Sequence, residues 1–304
     1  MQIECKENFD ISRLTTFKVG GEIRKVYFPK NQQELIYLLN TLEEYIVLGN
    51  CSNVLVSSEG YNGNIILTSG MSDFSIRGTH VFAECGVKGP MLAQKCAEAG
   101  LCGFEFMIGF PGSVGGEIFM NASAHGQAIS DKLVKCCLFD TEKKEIVYKE
   151  KSEMGFGYRK SVLGQNKYIL LNAEFELVKG DSESIKALMN RNLESRREIQ
   201  PNLSNPNAGS IFKNPENDSA GRLLDKAGCK SLKGNNAEVW AKHANFIVNT
   251  GNATSADILE LMYKMYTTVK EKFTIELCPE IIFIGDKTEK EEELWNIMCK
   301  KIQK

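Results

Sequence analysis

The chain has 304 residues, of which 42% are hydrophobic and 25% charged, and its formal net charge at pH 7 is −2. This composition is typical of a globular protein of about two domains, and it excludes the global basic field of nucleic-acid or anionic-membrane binders. The amino-terminal segment lacks the apolar core of a signal peptide, and no apolar run approaches the ~18 residues of a membrane span. Ten cysteines at irregular spacing, without a CxxC pair, predict free thiols in a reducing cytosol.

The first 70 residues are predicted to form a lobe with the order βαββ. A strand follows the Gly20-Gly21 turn, and a helix spans 31–44 because leucines recur there at helical spacing. Two short apolar runs, 45–48 and 54–56, are predicted strands. This lobe therefore carries a turn of small polar residues, LGNCSN, between two strands.

Residues 71–197 are predicted to form a second lobe, which is α+β and composed mainly of strands. Pro90 in the first turn and Gly100 past the end are typical of a helix between them. The predicted elements in chain order are a strand over 75–85, a helix over 88–98, strands over 133–140, 145–148 and 168–177, and a helix over 181–200.

The remainder of the chain, 198–304, is predicted to form a third part. It opens with a Pro/Asn-rich loop over 201–218, and a loop of that length is usually functional or disordered. Thr254 and Asp257 predict a capping box at a helix start. The predicted elements are a helix over 220–227, a strand over 245–249, a helix over 254–272, a strand over 274–284 that is interrupted at 278–280, and an amphipathic closing helix.

A glycine-rich stretch, GFEFMIGFPGSVGGEIFMNASAHG at 103–126, contains no Lys or Arg. Glycine lets backbone amides approach a ligand closely, so the stretch predicts a loop around a phosphate-bearing cofactor, but a tight crossing of two backbones explains it equally well. Its spacing is not the Rossmann fingerprint, and no P-loop sequence occurs. With the polar turn at 48–53, which a ligand-free Asx turn would also explain, it suggests a dinucleotide held between two lobes of a different fold.

Isolated polar residues supply further candidates. Arg159 beside Tyr158 suits bidentate binding of a carboxylate, although a surface arginine stacked on the ring is the alternative. Ser210 lies in a small-residue turn and is either a proton donor or part of a capped turn. Glu280 enters an apolar strand and either faces solvent or has a raised pKa. His243 is predicted to be a hydrogen-bonded structural histidine, because the three histidines show no metal-binding spacing.

Eight motifs together resemble the UDP-N-acetylenolpyruvoylglucosamine reductase family, the flavoenzymes that make UDP-N-acetylmuramate for bacterial peptidoglycan. In order they read TTFKVGG, LGNCSNVLV, GFEFMIGFPGSVGGEIFMNASAHG, GYRKS, AGSIFKNP, AGRLLDKAG, AKHANFIVN and PEIIFIG. The resemblance implies an α+β protein in which two lobes, 1–70 and 71–197, form a FAD-binding fold of the vanillyl-alcohol-oxidase type. It also implies that 198–304 is an α+β substrate-binding domain with a C-terminal helix.

The resemblance further implies the cofactors and the site residues. FAD is the implied cofactor and NADPH the implied hydride donor, and no metal is expected. The implied catalytic residues are Arg159, Ser210 and Glu280, and the implied substrate contacts are Tyr158, Lys213 and Asn214. The implied FAD-binding residues are Gly49, Asn50, Cys51, Ser52, Asn53, Gly112, Ser113, Gly115, Gly116, Ser123 and Ala124.

The chemistry implied by the family is reduction of the enolpyruvyl ether of a UDP-sugar. Hydride passes from flavin N5 to the enolpyruvyl carbon, and Ser210 supplies the proton. Arg159 and a protonated Glu280 would stabilise the negative charge that develops beside the substrate carboxylate. The expected protein is a cytoplasmic monomer of cell-wall synthesis that binds no nucleic acid. The alternatives are a non-catalytic flavin- or nucleotide-sugar-binding paralogue and an oxidase of the same fold.

Some positions depart from the family pattern. Glycine is usual at Cys51, Ser123 and Asn236, a small residue at Glu117, and tyrosine at His125. Because a carboxylate beside a pyrophosphate is repulsive, Glu117 is expected to point away from it. Tyr168, the only tyrosine between Arg159 and Ser210, falls in a predicted strand. This indicates the shorter version of the family, without a tyrosine lid.

Overall fold

The computed structural model describes residues 2–202 and 204–299, which fall into two compact units. Unit 1 comprises Met1–Lys6, Val26–Asn50 and Asn64–Arg196, and unit 2 comprises Glu7–Lys25, Cys51–Gly63 and Arg197–Lys304. The predicted division at residues 70 and 197 describes functional lobes and remains a prediction. Its last part includes residues 203 and 300–304, which lie outside the described residues.

The secondary structure is mixed. The described strands are β1 (Glu4–Asp10), β2 (Glu22–Phe28), β3 (Ile46–Leu48), β4 (Val54–Val56), β5 (Tyr61–Leu67), β6 (Phe74–Arg77), β7 (His80–Glu84), β8 (Leu101–Cys102), β9 (Ser123–Ala124), β10 (Gln127–Ala128), β11 (Leu133–Asp140), β12 (Glu145–Glu150), β13 (Tyr168–Glu176), β14 (Val178–Lys179), β15 (Ala237–Val239), β16 (Ile247–Asn249) and β17 (Ile282–Ile284). The described α-helices are α1 (Gln32–Thr41), α2 (Gly89–Glu98), α3 (Val114–Met120), α4 (Ser182–Ile199), α5 (Ala220–Ala227), α6 (Ser255–Phe273) and α7 (Glu289–Cys299).

Unit 1 is built around a five-stranded antiparallel sheet with the strand order β12-β11-β13-β7-β6. Its apolar residues are buried together with those of α1 and α2 in one core. Phe104 and Phe106 join this core. The rings of Phe104 and Phe175 of β13 pack edge to face, with their centres 5.1 Å apart. These aromatic contacts anchor the start of the glycine-rich stretch on the sheet. Unit 1 also contains the parallel pairing of β3 with the end of β5, in which Ile46 lies opposite Ile65.

Unit 2 has its own core, formed mainly by α5, α6 and short strands. β17 pairs in parallel with β4, so that Ile282 lies opposite Val54. The predicted capping box is confirmed: Thr254 and Asp257 exchange hydrogen bonds at the start of α6. No helix in the described part of the chain is long and apolar enough to cross a membrane.

Several predicted elements are confirmed and others are wrong. The single strand expected over 75–85 is a hairpin of β6 and β7, because Gly78 between them adopts a left-handed φ of 65°. The last strand begins only at Ile282, since Thr274 is left-handed and Pro279 interrupts the run. α3 was not predicted, because Gly115 and Gly116 give this segment low helix propensity. Tyr168 begins β13, as predicted.

Candidate functional site

Gly49 and Asn50 of the polar turn contact the glycine-rich stretch within unit 1. A Cβ on Gly49 would lie 2.3 Å from Ser113 Oγ and 3.9 Å from the backbone nitrogen of Gly116, so a side chain there would displace the Ser113 hydroxyl. The Asn50 side chain donates a hydrogen bond to the carbonyl of Pro111. Ser113 Oγ is buried without a hydrogen-bond partner among the described residues. We call Gly49, Ser113 and Gly116 the cradle; its orphan hydroxyl marks a place where a ligand oxygen can bind.

Gly115 lies beside a different part of the backbone. Its amide donates to the Cys85 carbonyl at 2.8 Å, and a Cβ on Gly115 would lie 3.0 Å from that oxygen. The neighbouring Val114 amide donates to the Val87 carbonyl at 2.8 Å. A close backbone crossing therefore explains the glycine at 115, whereas Gly49 and Gly116 border the orphan hydroxyl. Of the two explanations that the sequence left open, the backbone crossing is confirmed, and the cofactor loop stays a prediction.

Glu117 is a buried acid without hydrogen-bond partners. Its side chain is 3% exposed, and neither carboxyl oxygen has a partner among the described residues. It packs against glycines: a Cβ on Gly89 would lie 2.0 Å from Oε1, and one on Gly112 would lie 3.2 Å from that atom. Burial raises the pKa of Glu117 to about 8, which keeps it largely neutral at pH 7. Its neighbours are Gly89 and Gly112, not the Gly49 side of the cradle.

Arg159 lies in unit 1 with a strained backbone and a fixed side chain. Its φ of 52° is unusual for a residue other than glycine. One guanidinium nitrogen, Nη1, donates to Ser123 Oγ at 3.0 Å, and the guanidinium lies 5.1 Å from the centre of the Tyr158 ring. Asn121, at the end of α3, donates to the Gly157 carbonyl at 3.1 Å. Arg159 is thus tied to the β9 turn, where Ser123 and Ala124 were predicted to contact FAD.

In unit 2, the segment carrying Ser210 and Lys213 pairs with the segment carrying Glu280. The Glu280 amide donates to the Ile211 carbonyl, and the Lys213 amide donates to the Cys278 carbonyl, each at 2.8 Å. Gly209, immediately before Ser210, has a left-handed φ of 77°. Two paired backbone segments therefore carry three of the predicted site residues, Ser210, Lys213 and Glu280. Asn214 accepts a hydrogen bond from the Ala220 amide at 3.0 Å, at the start of α5.

Asn245 is a positioning residue that the sequence analysis missed. It is 3% exposed, and its side chain accepts from the Phe212 amide at 2.9 Å and donates to the Phe212 carbonyl at 2.8 Å. Its own carbonyl accepts from the Ile211 amide at 2.9 Å. The feature of the sequence that could have indicated this residue is an asparagine next to apolar residues in AKHANFIVN. The prediction for His243 is confirmed, because its Nδ1 accepts from the Asn245 amide at 3.2 Å.

The remaining residues of the polar turn, Cys51, Ser52 and Asn53, belong to unit 2. Asn53 donates from its side chain to the Glu280 carbonyl at 3.1 Å, which links this turn to the Glu280 segment. The Ser52 carbonyl accepts from the hydroxyl of Thr16 at 3.4 Å. Cys51 has a left-handed φ of 48°, as suits a position where the family usually has glycine. Burial raises the pKa of its thiol to about 12, so it is unreactive.

Two family models match separate parts of the chain. The "FAD binding domain" matches 23–139, and "UDP-N-acetylenolpyruvoylglucosamine reductase, C-terminal domain" matches 200–284. The UDP-N-acetylenolpyruvoylglucosamine reductase of Caldicellulosiruptor bescii is 44% identical over 93% of this chain and 92% of its own length. The crystal structure of the corresponding reductase from Thermus caldophilus covers 93% of this chain and 99% of its own, with a TM-score of 0.80 and 33% identity.

A more distant structure shows the fold alone. The berberine-bridge-enzyme-like protein 1 of Physcomitrella patens has a TM-score of 0.53 at 10% identity, covering 88% of this chain and 86% of its own. With the FAD-binding match, it confirms the predicted α+β fold of the vanillyl-alcohol-oxidase type.

Proposed function

Because the chain belongs to the UDP-N-acetylenolpyruvoylglucosamine reductase family, we propose that it reduces UDP-N-acetylglucosamine enolpyruvate to UDP-N-acetylmuramate with FAD and NADPH. It is a flavoprotein oxidoreductase of peptidoglycan synthesis. The observation that supports the assignment most strongly is that Arg159 is bonded to Ser123 of the cofactor-binding stretch, while Ser210 and Glu280 lie on paired segments.

The residues of unit 1 fit the phosphates of FAD. Ser113 Oγ is a buried hydroxyl that has no partner within 2–202 and 204–299, and a Cβ at Gly49 would occupy the space beside it. Backbone amides and a hydroxyl at such a turn are suitable donors to phosphate oxygens. Ser113, Gly49, Gly116 and the adjacent Gly112 would hold the diphosphate, while Asn50 fixes the turn by bonding to the Pro111 carbonyl. Gly115 would act indirectly, since its amide is bonded to Cys85.

The chemistry requires a cation and proton donors around the reacting carbon. Bound FAD supplies the hydride, which it receives from NADPH. Addition of hydride to the methylene carbon places negative charge on the carbon beside the substrate carboxylate. We propose that Arg159 binds that carboxylate with its planar guanidinium and so stabilises the charge. The bond to Ser123 orients the guanidinium, and the Tyr158 ring supports it from one face.

The unit 2 residues would complete the reaction. Ser210 donates its hydroxyl proton to the substrate carbon, and Glu280 donates a hydrogen bond to the enolate-like carboxylate. Lys213 and Asn214 contact the substrate, Lys213 as a cation for its anionic groups. Asn245 acts through the backbone: it fixes Phe212, two residues from Ser210 and one from Lys213.

The setting of the reaction is also proposed. We place the enzyme in the cytoplasm as a monomer, acting on small molecules only. Buried free thiols, which a reducing compartment preserves, support this location: Cys51, Cys85, Cys96, Cys136, Cys137 and Cys229. The described residues contain no cluster of His, Cys, Asp or Glu suited to a metal ion.

Separate half-reactions test the role of Ser210. Ser210→Ala should leave reduction of the flavin by NADPH within a factor of two, because the hydroxyl acts only on the second substrate. Reoxidation of the flavin by the enolpyruvyl ether should slow by about 10²–10⁴-fold, the usual contribution of a positioned proton donor. Ser204→Ala, an exposed serine in the same loop, is the matched control. Equal losses in both half-reactions would contradict the proton-donor role.

A further inference from the structure

Glu117 stands out among the buried polar side chains. Neither of its carboxyl oxygens has a partner in the described part of the chain, whereas the buried Glu105 accepts from the Gly103 amide at 2.8 Å and the buried Glu291 accepts from Ser255 and Thr288. Burying an ionised carboxylate without donors costs far more than burying the neutral acid. The site is therefore built for the protonated form of Glu117, and ionisation must recruit water or move the side chain.

Glu117 lies beside the segment that leads into the cradle. A Cβ added to Gly112 would lie 3.2 Å from both Cγ and Oε1 of Glu117, and Gly112 directly precedes Ser113 in the chain. The Gly89 amide donates to the Gly112 carbonyl at 3.1 Å, and Lys88 forms a β-bridge with Ser113. The carboxyl of Glu117 thus fills the space beneath the crossing of these two segments.

Among the described residues, no charged group is resolved as a cause of the pKa shift of Glu117. The turn from Phe110 to Ser113 has no ionisable side chain of its own, although the Arg196 guanidinium lies 5.1 Å from the centre of the Phe110 ring. α3 has only Glu117 itself, and the segments packed against α3 carry the ionisable residues His80, Glu84, Asp131, Tyr168, Glu174 and Glu176. The segment leading into α2 contributes Lys88, which is exposed, and the thiol of Cys85, whose pKa burial raises to about 12. Burial is the only resolved cause of the raised pKa of Glu117.

We propose that Glu117 is a positioning residue of the FAD site that must be protonated for tight FAD binding, so that its ionisation weakens the hold on the flavin diphosphate. The proposal rests on the proposed function, because the cradle is taken to bind that diphosphate. Ionisation acts in two ways: it displaces the Gly112–Ser113 turn, and it places a negative charge near phosphate oxygens. Both raise the dissociation constant of FAD.

The test measures FAD release at two pH values. Purified flavoprotein is diluted serially at pH 7 and pH 9, and the fluorescence of released FAD gives the dissociation constant. If only the neutral form binds tightly, a group of pKa about 8 leaves roughly one molecule in ten competent at pH 9, so the dissociation constant should rise about tenfold. Glu117→Gln, which cannot ionise, should change less than threefold.

Two further variants keep the test decisive. Glu117→Ala also cannot ionise and has no amide to pack, so its dissociation constant should change as little between the two pH values as that of Glu117→Gln. Glu98→Gln removes an exposed carboxylate from α2 and should retain the tenfold rise of the unmodified chain. An equal rise of the FAD dissociation constant in all variants would overturn the proposal. Loss of FAD at pH 7 in both Glu117→Gln and Glu117→Ala would also overturn it. Failure of the unmodified chain to bind FAD at pH 7 would instead refute the proposed function.

Discussion

Replacing Glu117 by glutamine should change how the stability of the FAD-free chain depends on pH. The pKa of Glu117 is about 8 in the folded protein against an ordinary 4.5, so between these values the folded state holds a proton that the unfolded state releases. Stability is therefore lost as pH rises through this window, by about 1.4 kcal/mol per pH unit. From pH 4.5 to pH 7, the unmodified chain should lose about 3 kcal/mol relative to Glu117→Gln, which does not titrate.

Urea unfolding followed by circular dichroism at both pH values measures this difference. The other titrating groups are the same in both proteins, so their contributions to the free energy of unfolding cancel in the difference between the proteins. A packing cost of the amide that does not depend on pH cancels between the two pH values. Glu98→Gln provides a control of opposite sign, since a hydrogen bond from Lys95 lowers the pKa of Glu98. If the difference in unfolding free energy between the unmodified chain and Glu117→Gln changes by less than about 1 kcal/mol between pH 4.5 and 7, the conclusion that Glu117 is buried as a neutral acid is refuted.

Three other changes test the geometry. Gly49→Ala should abolish FAD binding, because the added Cβ would lie 2.3 Å from Ser113 Oγ; Gly164→Ala, where a Cβ meets nothing within 4 Å, should bind FAD normally in the same fluorescence titration. Ser113→Ala should weaken FAD binding about tenfold without destabilising the FAD-free chain, since its hydroxyl has no partner to lose. Asn245→Ala should cost about 2–4 kcal/mol in urea unfolding, by breaking both bonds to Phe212.

Local signals explain what could be predicted from the sequence. Asn31 accepts from the Glu34 amide at 2.9 Å and begins α1, and Thr254 begins α6, because a cap and its helix are neighbours in the chain. His243 bonds to a residue two positions away, so its structural role was also visible locally. The family assignment came from eight motifs in order, which carried more information than any one of them.

Contacts between distant segments explain what could not be predicted. α3 forms in a glycine-rich segment because the Val114 and Gly115 amides bond to backbone carbonyls nearly thirty positions earlier, which no local propensity encodes. The role of Asn245 depends on Phe212, a residue 33 positions away. The isolation of Glu117 likewise depends on Gly89, whose missing side chain leaves room for the carboxyl.

The visible spectrum of the purified protein tests the central claim most directly. Mixed anaerobically with NADPH, the protein should lose the absorbance of oxidised flavin, and subsequent addition of UDP-N-acetylglucosamine enolpyruvate should restore it with formation of one UDP-N-acetylmuramate per flavin. Flavin that is reduced by NADPH but reoxidised only by oxygen would indicate an oxidase of the same fold. A bound flavin that NADPH fails to reduce, with or without the enolpyruvyl ether, would contradict the assignment as a reductase.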